Sequence, residues 1–539
     1  MPTKGKAPSK AKGRAKSKSA ASETKSSVKK SKKKVKGATR AKASAKPRSK
    51  KAAPSAPPQA PAAVAPVKGG FRTETDSLGP VKVPAGAYWG AQTQRAVENF
   101  PVSGRLAHPA LVRAYVAIKR ACATVNQTVG KLDARRCRAI CQACDEVLGR
   151  GHLMDQWVVD IYQAGAGTSL NMNTNEVLAN RALELMDKQR GQYGVLSPND
   201  HVNMSQSTND TFPTAMHVAA LVVWSNLRKG LEQLARDLSA KARIFDTVLK
   251  SGRTHLQDAV PIRLGQEFAA YAAVVRDAVA NIETASEKLC EVALGGSAVG
   301  TGLNTHERFA SLAVTSLGKV VNLQLRAARD LRQRMQSMLP IAAMSSAVRN
   351  LALELIRIGN DLRLLSSGPR TGLAEIELPP VQPGSSIMPG KVNPSMIECL
   401  TMVCFQVVGN DTAVAMAAQA GQLELNVMMP GMAASVLDSM QHLANFIPVF
   451  REKCVAGITV NEERCHSYYE DSLGLAAVLN QKIGYLKAAA VAKKAVAKGV
   501  SLLAIIRQDK LLSPKELKTL LSRKHLTEPG TTVDGPKAP

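Results

Sequence analysis

From Phe71 onward the chain alternates long stretches of helical apolar periodicity with short runs of small polar residues. Apolar side chains recur at three- and four-residue spacing from near Ala110 to about Leu148, from Asn175 to Leu185, from Thr211 to about Leu249 and from Leu264 to Leu294. Further stretches cover 308–318, 327–366 and 395–450, and shorter helices are expected over 464–530. That spacing places the apolar side chains along one face of a helix. Several stretches run past about 25 residues, longer than most globular helices, and predict a bundle of long helices. Residues 71–100 mix Gly and Pro with short apolar runs and predict irregular structure or short strands. There is no βαβ alternation, no dinucleotide-type glycine fingerprint and no internal repeat, so the expected fold class is all-α. Aromatic residues make up only 4% of the chain, so helix contacts must be built from Leu, Val, Ala and Met.

The first 68 residues change this picture. They hold 21 Lys/Arg against a single acidic residue, Glu23, so this segment carries +20 of the formal +30. A Lys/Ala/Ser/Pro segment with almost no large apolar side chain cannot offset its ordering entropy by burial, and disorder is expected. Ala52–Val67 is Pro/Ala-rich, a spacer composition. The tail resembles the Lys/Ala-rich tails of linker-histone-like proteins. It implies either a solvated arm or salt-sensitive, sequence-independent contact with nucleic acid or another polyanion through residues 1–68. Composition sets this basic tail (1–70) apart from the globular sequence that begins at Phe71.

Nine cysteines without paired spacing fit a reducing, cytoplasmic setting. Cys141-Gln-Ala-Cys144 lacks a second Cys or His pair, and Cys137, Cys141 and Cys144 fall on one helix face, so no metal site is expected there. No run approaches the ~18 consecutive apolar residues that span a bilayer, and no membrane contact is expected.

Polar residues that interrupt the helices carry the candidate chemistry. Three clusters are Gly165-Ala166-Gly167-Thr168-Ser169 with Asn171–Glu176, Asn203–Asp210, and Gly252-Arg253-Thr254-His255-Leu256-Gln257-Asp258. Each is expected at or just before a helix start, where hydroxyls and free N–H groups attract anions, although Ser, Thr, Asn and Asp are also ordinary helix caps. The fourth is the loop Pro383-Gly384-Ser385-Ser386-Ile387-Met388-Pro389-Gly390-Lys391-Val392-Asn393-Pro394. Its prolines and glycines exclude a helix, and its hydroxyls, ammonium and amide suit carboxylate oxygens. Together the four clusters predict a pocket for a small dicarboxylate.

Gly-Ser-Ser-x-Met-Pro-x-Lys-x-Asn-Pro at 384–394 resembles the signature of the fumarase/aspartase superfamily, and the other clusters match its motif regions in order over about residues 71–530. The resemblance implies an all-α, homotetrameric lyase of three domains (an N-terminal domain over 71–207, a central long-helix bundle over 208–463, and a small C-terminal domain with its tail over 464–539) whose active sites draw on three subunits and need no cofactor. Fumarase-like features are Gly252–Ala259, Gly300–His306 and Gly390-Lys391. Aspartase-like features are Gly-Ala-Gly-Thr-Ser at 165–169, Asp200–Asn203, Ser207-Thr208-Asn209, Gly372–Ile376 and Ala420–Met428, and these outweigh the first set. The stretch Ala327–Ala343, with Arg329–Met335 inside it, departs from both patterns.

By the same resemblance Ser385 is the base that takes the Cβ proton, helped by backbone N–H groups and Lys391. Lys391, Asn393, Thr254 and His255 hold one carboxylate. Thr168, Ser207, Thr208 and Ser386 hold the other, with Ser169 beside them and Asn209 at the amino group. His255 pairs with Glu398, and the 384–394 loop acts as a lid. Elimination from L-aspartate is the expected reaction, hydration of fumarate the enzymatic alternative, and a tetrameric scaffold for a nucleic-acid-binding tail the alternative of another class.

Overall fold

The computed structural model describes residues 70–530; the basic tail, with the expected nucleic-acid contact, lies outside them. A hairpin of β1 (Phe71–Asp76) and β2 (Gly79–Pro84) opens the fold and leads into α1 (Ala91–Asn99). Next come α2 (Pro109–Thr128), α3 (Ala134–Arg150) and α4 (Thr168–Leu185). Asp133 caps α3 through the N–H groups of Arg135 and Arg136, and Gly151 ends it in the left-handed region.

The centre is built from α5 (Thr208–Ile244), α6 (Leu264–Glu287), α9 (Leu339–Leu365), α10 (Ser395–Gln419) and α11 (Met429–Lys453), with α7 (Phe309–Val321) and α8 (Leu331–Gln336) at its side. Each long helix packs on two others in the order α5–α6–α9–α10–α11–α5, which closes a five-helix bundle. Its staves are the long periodic stretches, with breaks at 245–263 and 420–428. The 37 residues of α5 span roughly 55 Å at ~1.5 Å per residue. Its first half is buried almost all round, while beyond Trp224 only Leu227, Leu231, Leu234, Ala235 and Leu238 face inward, a stripe at helical spacing. One apolar core runs from Val81 to Cys465, and a second gathers residues from Tyr469 to Leu520 in the short helices α12–α17 between Glu462 and Thr527.

Two expectations are corrected here. Thr168–Leu185 is one helix, so the polar run at 171–176 is not a loop: Asn171, Asn173, Thr174, Asn175 and Glu176 are buried on α4. Residues 252–258 do not precede a helix directly; they close an antiparallel hairpin of β3 (Leu249–Thr254) and β4 (Gln257–Arg263). Two further strand pairs, β5–β6 (Glu291–Val292 with Arg326–Ala327) and β7–β8 (Ile376–Glu377 with Thr459–Val460), are two residues long. By length and mean hydropathy α9 and α10 qualify as possible membrane spans, although neither is an unbroken apolar run; both are staves of the bundle.

Candidate active site

The loop before α10 is shaped by its own backbone. Gly384 N–H donates to Lys391 O at 2.8 Å, and Asn393 Nδ2 donates to Gly384 O at 2.7 Å, which closes the loop at its base. A side chain at 384 would stand 2.7 Å from Asn393 N and Lys391 O, so only glycine fits. Gly390 supplies φ +81° at the far turn. Inside this ring Ser385 Oγ accepts two backbone N–H groups, from Ile387 at 3.2 Å and Met388 at 3.0 Å. Ser386 and Lys391 are exposed, and the loop borders a cavity of about 440 Å³ with Ser385, Met388 and Lys391 among its lining. Glu398 follows in the first turn of α10, half-buried.

A second group forms where α4 and α5 begin. Gly167 caps α4 at φ +83°, and a Cβ there would fall 2.0 Å from the Phe212 ring, so close packing of the two helix starts dictates glycine. Thr168 is exposed at this junction and Ser169 is buried. Ser207 caps α5 in a reciprocal box: its hydroxyl accepts Asn209 N–H while Ser207 N–H donates to Asp210 Oδ1. Thr208 is buried, and Asn209 Nδ2 donates to Ala298 O at 2.8 Å.

Two buried charged groups hold this region: Lys119, which sequence reasoning missed, and Asp210, which it named only as the last residue of the 203–210 cluster. Lys119, fully buried on α2, donates from Nζ to Asn171 Oδ1, Asn203 Oδ1 and Gln206 Oε1 at 2.8–2.9 Å. Burial pulls its ammonium down to about 8. Asp210, also fully buried, accepts N–H groups from Ser207, Gly295 and Ser297 and so ties the 295–305 loop to α5. Burial pushes its carboxyl up to about 6 against those donors. The one available signal for Lys119 was its place inside the apolar run Ala114–Ala123.

The third group is the tip of the β3–β4 hairpin. His255 and Leu256 both have positive φ, 55° and 57°, the conformation of a type I′ turn, without the Gly or Asn that usually relieves it. Thr254 and His255 are exposed, and Leu256 is 72% exposed. The hairpin base is fixed by charge: Lys250 Nζ reaches Glu267 at 2.8 Å and Glu375 at 3.0 Å, and Arg253 reaches Glu375 at 2.8 Å. A buried carboxylate between two cations is held where a lone one would be costly.

Among the described residues no hydrogen bond or ion pair joins these three groups. Within one chain the expected His255–Glu398 pairing is not formed. The divergent stretch Arg329–Met335 lies against the 295–305 loop: Arg332 packs where a Cβ on Gly300 would stand, and Arg326 and Arg334 both pair with Glu291.

A bundle of five long helices with a Gly-Ser-Ser loop at one stave and hydroxyl-bearing helix starts at another defines a lyase of the fumarase type, and the comparisons agree. A family model described as lyase matches residues 79–409, and one described as fumarase C C-terminus matches 475–528. The chain belongs to the fumarase/aspartase family. Aspartate ammonia-lyases of Bacillus subtilis (45% identity over 461 residues, 85% of this chain and 97% of the relative) and Escherichia coli K12 (46% over 460 residues, 85% and 96%) are similar to it along nearly their whole length. The solved fumarate lyase/delta crystallin of Brucella melitensis superposes with a TM-score of 0.82 at 46% identity, covering 85% of this chain and all of that one. A class II fumarase from Schistosoma mansoni reaches 0.80 at 36% identity, with 85% and 100% coverage.

Proposed function

We propose that this protein is an aspartate ammonia-lyase, eliminating ammonia from L-aspartate to give fumarate, reversibly and without a cofactor. Taking a proton from the carbon beside a carboxylate builds a second negative charge on that carboxylate, so fixed donors and cations must await it. The observation that carries the reading is the environment of Ser385. A serine hydroxyl is a very weak acid, and its alkoxide serves as a base only where donors stabilise it. The Ile387 and Met388 N–H groups already point at Oγ, and Lys391 lies on the same loop. In this reading Lys391, Asn393, Thr254 and His255 grip the carboxylate that accumulates charge. Thr168, Ser169, Ser207, Thr208 and Ser386 hold the other, Asn209 faces the amino group, and Glu398 orients His255.

Because no hydrogen bond or ion pair joins the three groups within one chain among the described residues, the reading takes the parts of each site from different subunits of a tetramer. Two exposed features support this. Met402, Phe405 and Met416 on α10 are 60–64% exposed, an apolar face too large for a solvated stave. Leu256, at a strained hairpin tip, likewise offers an apolar side chain to a neighbour.

Fumarate absorbance in the presence of excess L-aspartate or L-malate tests the assignment. Formation from aspartate alone is expected. Formation from malate alone would make the protein a fumarate hydratase, the reading favoured by the Thr254-His255 pair. The basic tail is proposed to add weak polyanion contact; deleting residues 1–68 is expected to leave turnover unchanged and abolish retention on DNA at low salt.

A further inference from the structure

Outside the groups above, reactive side chains also concentrate where α3 packs on α2. Cys137 and Cys141, one helical turn apart on α3, place their sulfurs 3.9 Å from each other. Cys137 is buried, with its sulfur 3.5 Å from Ala123 O. Cys141 is half-buried, with its sulfur 3.6 Å from the Thr124 hydroxyl and 3.9 Å from Arg120 O. The pair is therefore reached from solvent through Cys141. The hydrogen bond from Cys137, with the Thr124 hydroxyl and the Arg120 charge, draws the Cys141 thiol down to about 6, while the same bond pushes Cys137 upward. Cys141 therefore ionises more readily than its neighbour, which makes it a nucleophile with a second sulfur beside it. The lyase reading uses neither residue.

A disulfide fits this pair poorly. Side chains at i and i+4 on a helix keep their Cβ atoms about 5–6 Å apart, whereas a disulfide needs roughly 3.5–4.5 Å. A single soft atom bonded to both sulfurs at about 2.3 Å would enclose an angle of about 116° across the 3.9 Å span, and rotation of the half-buried Cys141 side chain toward Cys137 narrows it to the pyramidal angle of a trivalent atom. Among the described residues no three His, Cys, Asp or Glu side chains converge as a metal site, so the ligand must bring its own remaining substituent. We propose that Cys137 and Cys141 form a vicinal-dithiol site for a monosubstituted trivalent arsenical, bridged along one turn of α3. The reaction is a condensation: two S–H bonds break, two As–S bonds form, the oxo oxygen leaves as water, and arsenic stays trivalent.

The test is titration of the reduced full-length protein with phenylarsine oxide, followed by intact mass and by counting thiols open to alkylation. One adduct per chain is expected, with loss of two thiols at 137 and 141. Release is expected with a small dithiol but not with a monothiol, and L-aspartate turnover is expected to be unchanged. Cys141→Ser and, separately, Cys137→Ser should each weaken binding by about 100-fold or more, because the second As–S bond forms intramolecularly. Cys141→Ala provides a second removal at the half-exposed position should Cys137→Ser fold poorly. Cys290 and Cys399, the other half-buried thiols, make no thiol–thiol contact like that of Cys137 and Cys141 among the described residues and are expected to hold a monothiol adduct only. Absence of a stoichiometric adduct on the wild-type protein, or an adduct unaffected by the Cys141 variants, would overturn the proposal.

Discussion

At the scale of single residues, the strongest demands fall on Ser385, Lys119 and His217. Ser385→Ala removes the proposed base without touching the core, since the side chain is a loop acceptor on a half-exposed segment. A fall in kcat of about 10²–10⁴-fold with an unchanged melting temperature is expected; near-normal turnover would remove Ser385 as the base. Lys119→Met leaves Asn171, Asn203 and Gln206 without the donor that joins them, at a cost of about 3 kcal/mol read by denaturant titration. His217 sets a pH dependence. Its ring is buried with Nδ1 against Leu289 O and Glu291 O, and burial lowers its pKa to about 4. The unfolded chain takes up that proton near the ordinary 6.5, so the stability contributed by the neutral ring is complete above about 6.5 and is lost as pH falls toward 4. Melting temperatures from pH 7 to 4 should decline more gently for His217→Gln than for the wild-type protein, from a lower starting value.

At the scale of elements, the loop before α10 is a closed ring whose geometry depends on one missing side chain. Gly384→Ala forces its base apart and displaces the two N–H groups from Ser385. Activity is expected to fall at least tenfold while the bundle melts normally, as paired kinetics and thermal scans would reveal. The sequence was informative about such elements to an uneven degree. The bundle staves were legible because apolar spacing reports which face is buried, and the 384–394 loop because Pro and Gly forbid a helix. Polar α4 was misread: Asn173 and Thr174 look like loop residues, yet they are buried against Gln156, Trp157 and Val158, which take up their hydrogen bonds. The β3–β4 hairpin was not anticipated because its turn is His-Leu and carries none of the residues that usually signal one. Lys119 was overlooked because Asn171, Asn203 and Gln206 lie far along the chain, and Asp210, named within its cluster, was given no role because two of its three donors sit on the backbone at 295–297.

At the scale of the whole molecule, charge and function are distributed separately. Residues 475–530, which form the short C-terminal helices, hold 11 Lys/Arg and three Asp/Glu, a formal +8. The region containing the bundle and the hydroxyl-bearing helix starts is therefore nearly neutral, which suits a site that must bind a dianion and release it. The projecting hairpin has a genetic consequence. If His255 serves a loop carried by another subunit, a defect in one copy can be masked by a copy defective elsewhere. Chains bearing Ser385→Ala and chains bearing His255→Ala, each inactive alone, should regain activity when unfolded together and refolded as mixed assemblies. With random mixing at equal amounts, about one site in four would receive both intact parts. Recovery near a quarter of the wild-type rate would demonstrate complementation between alleles; no recovery would mean that each chain completes its site alone.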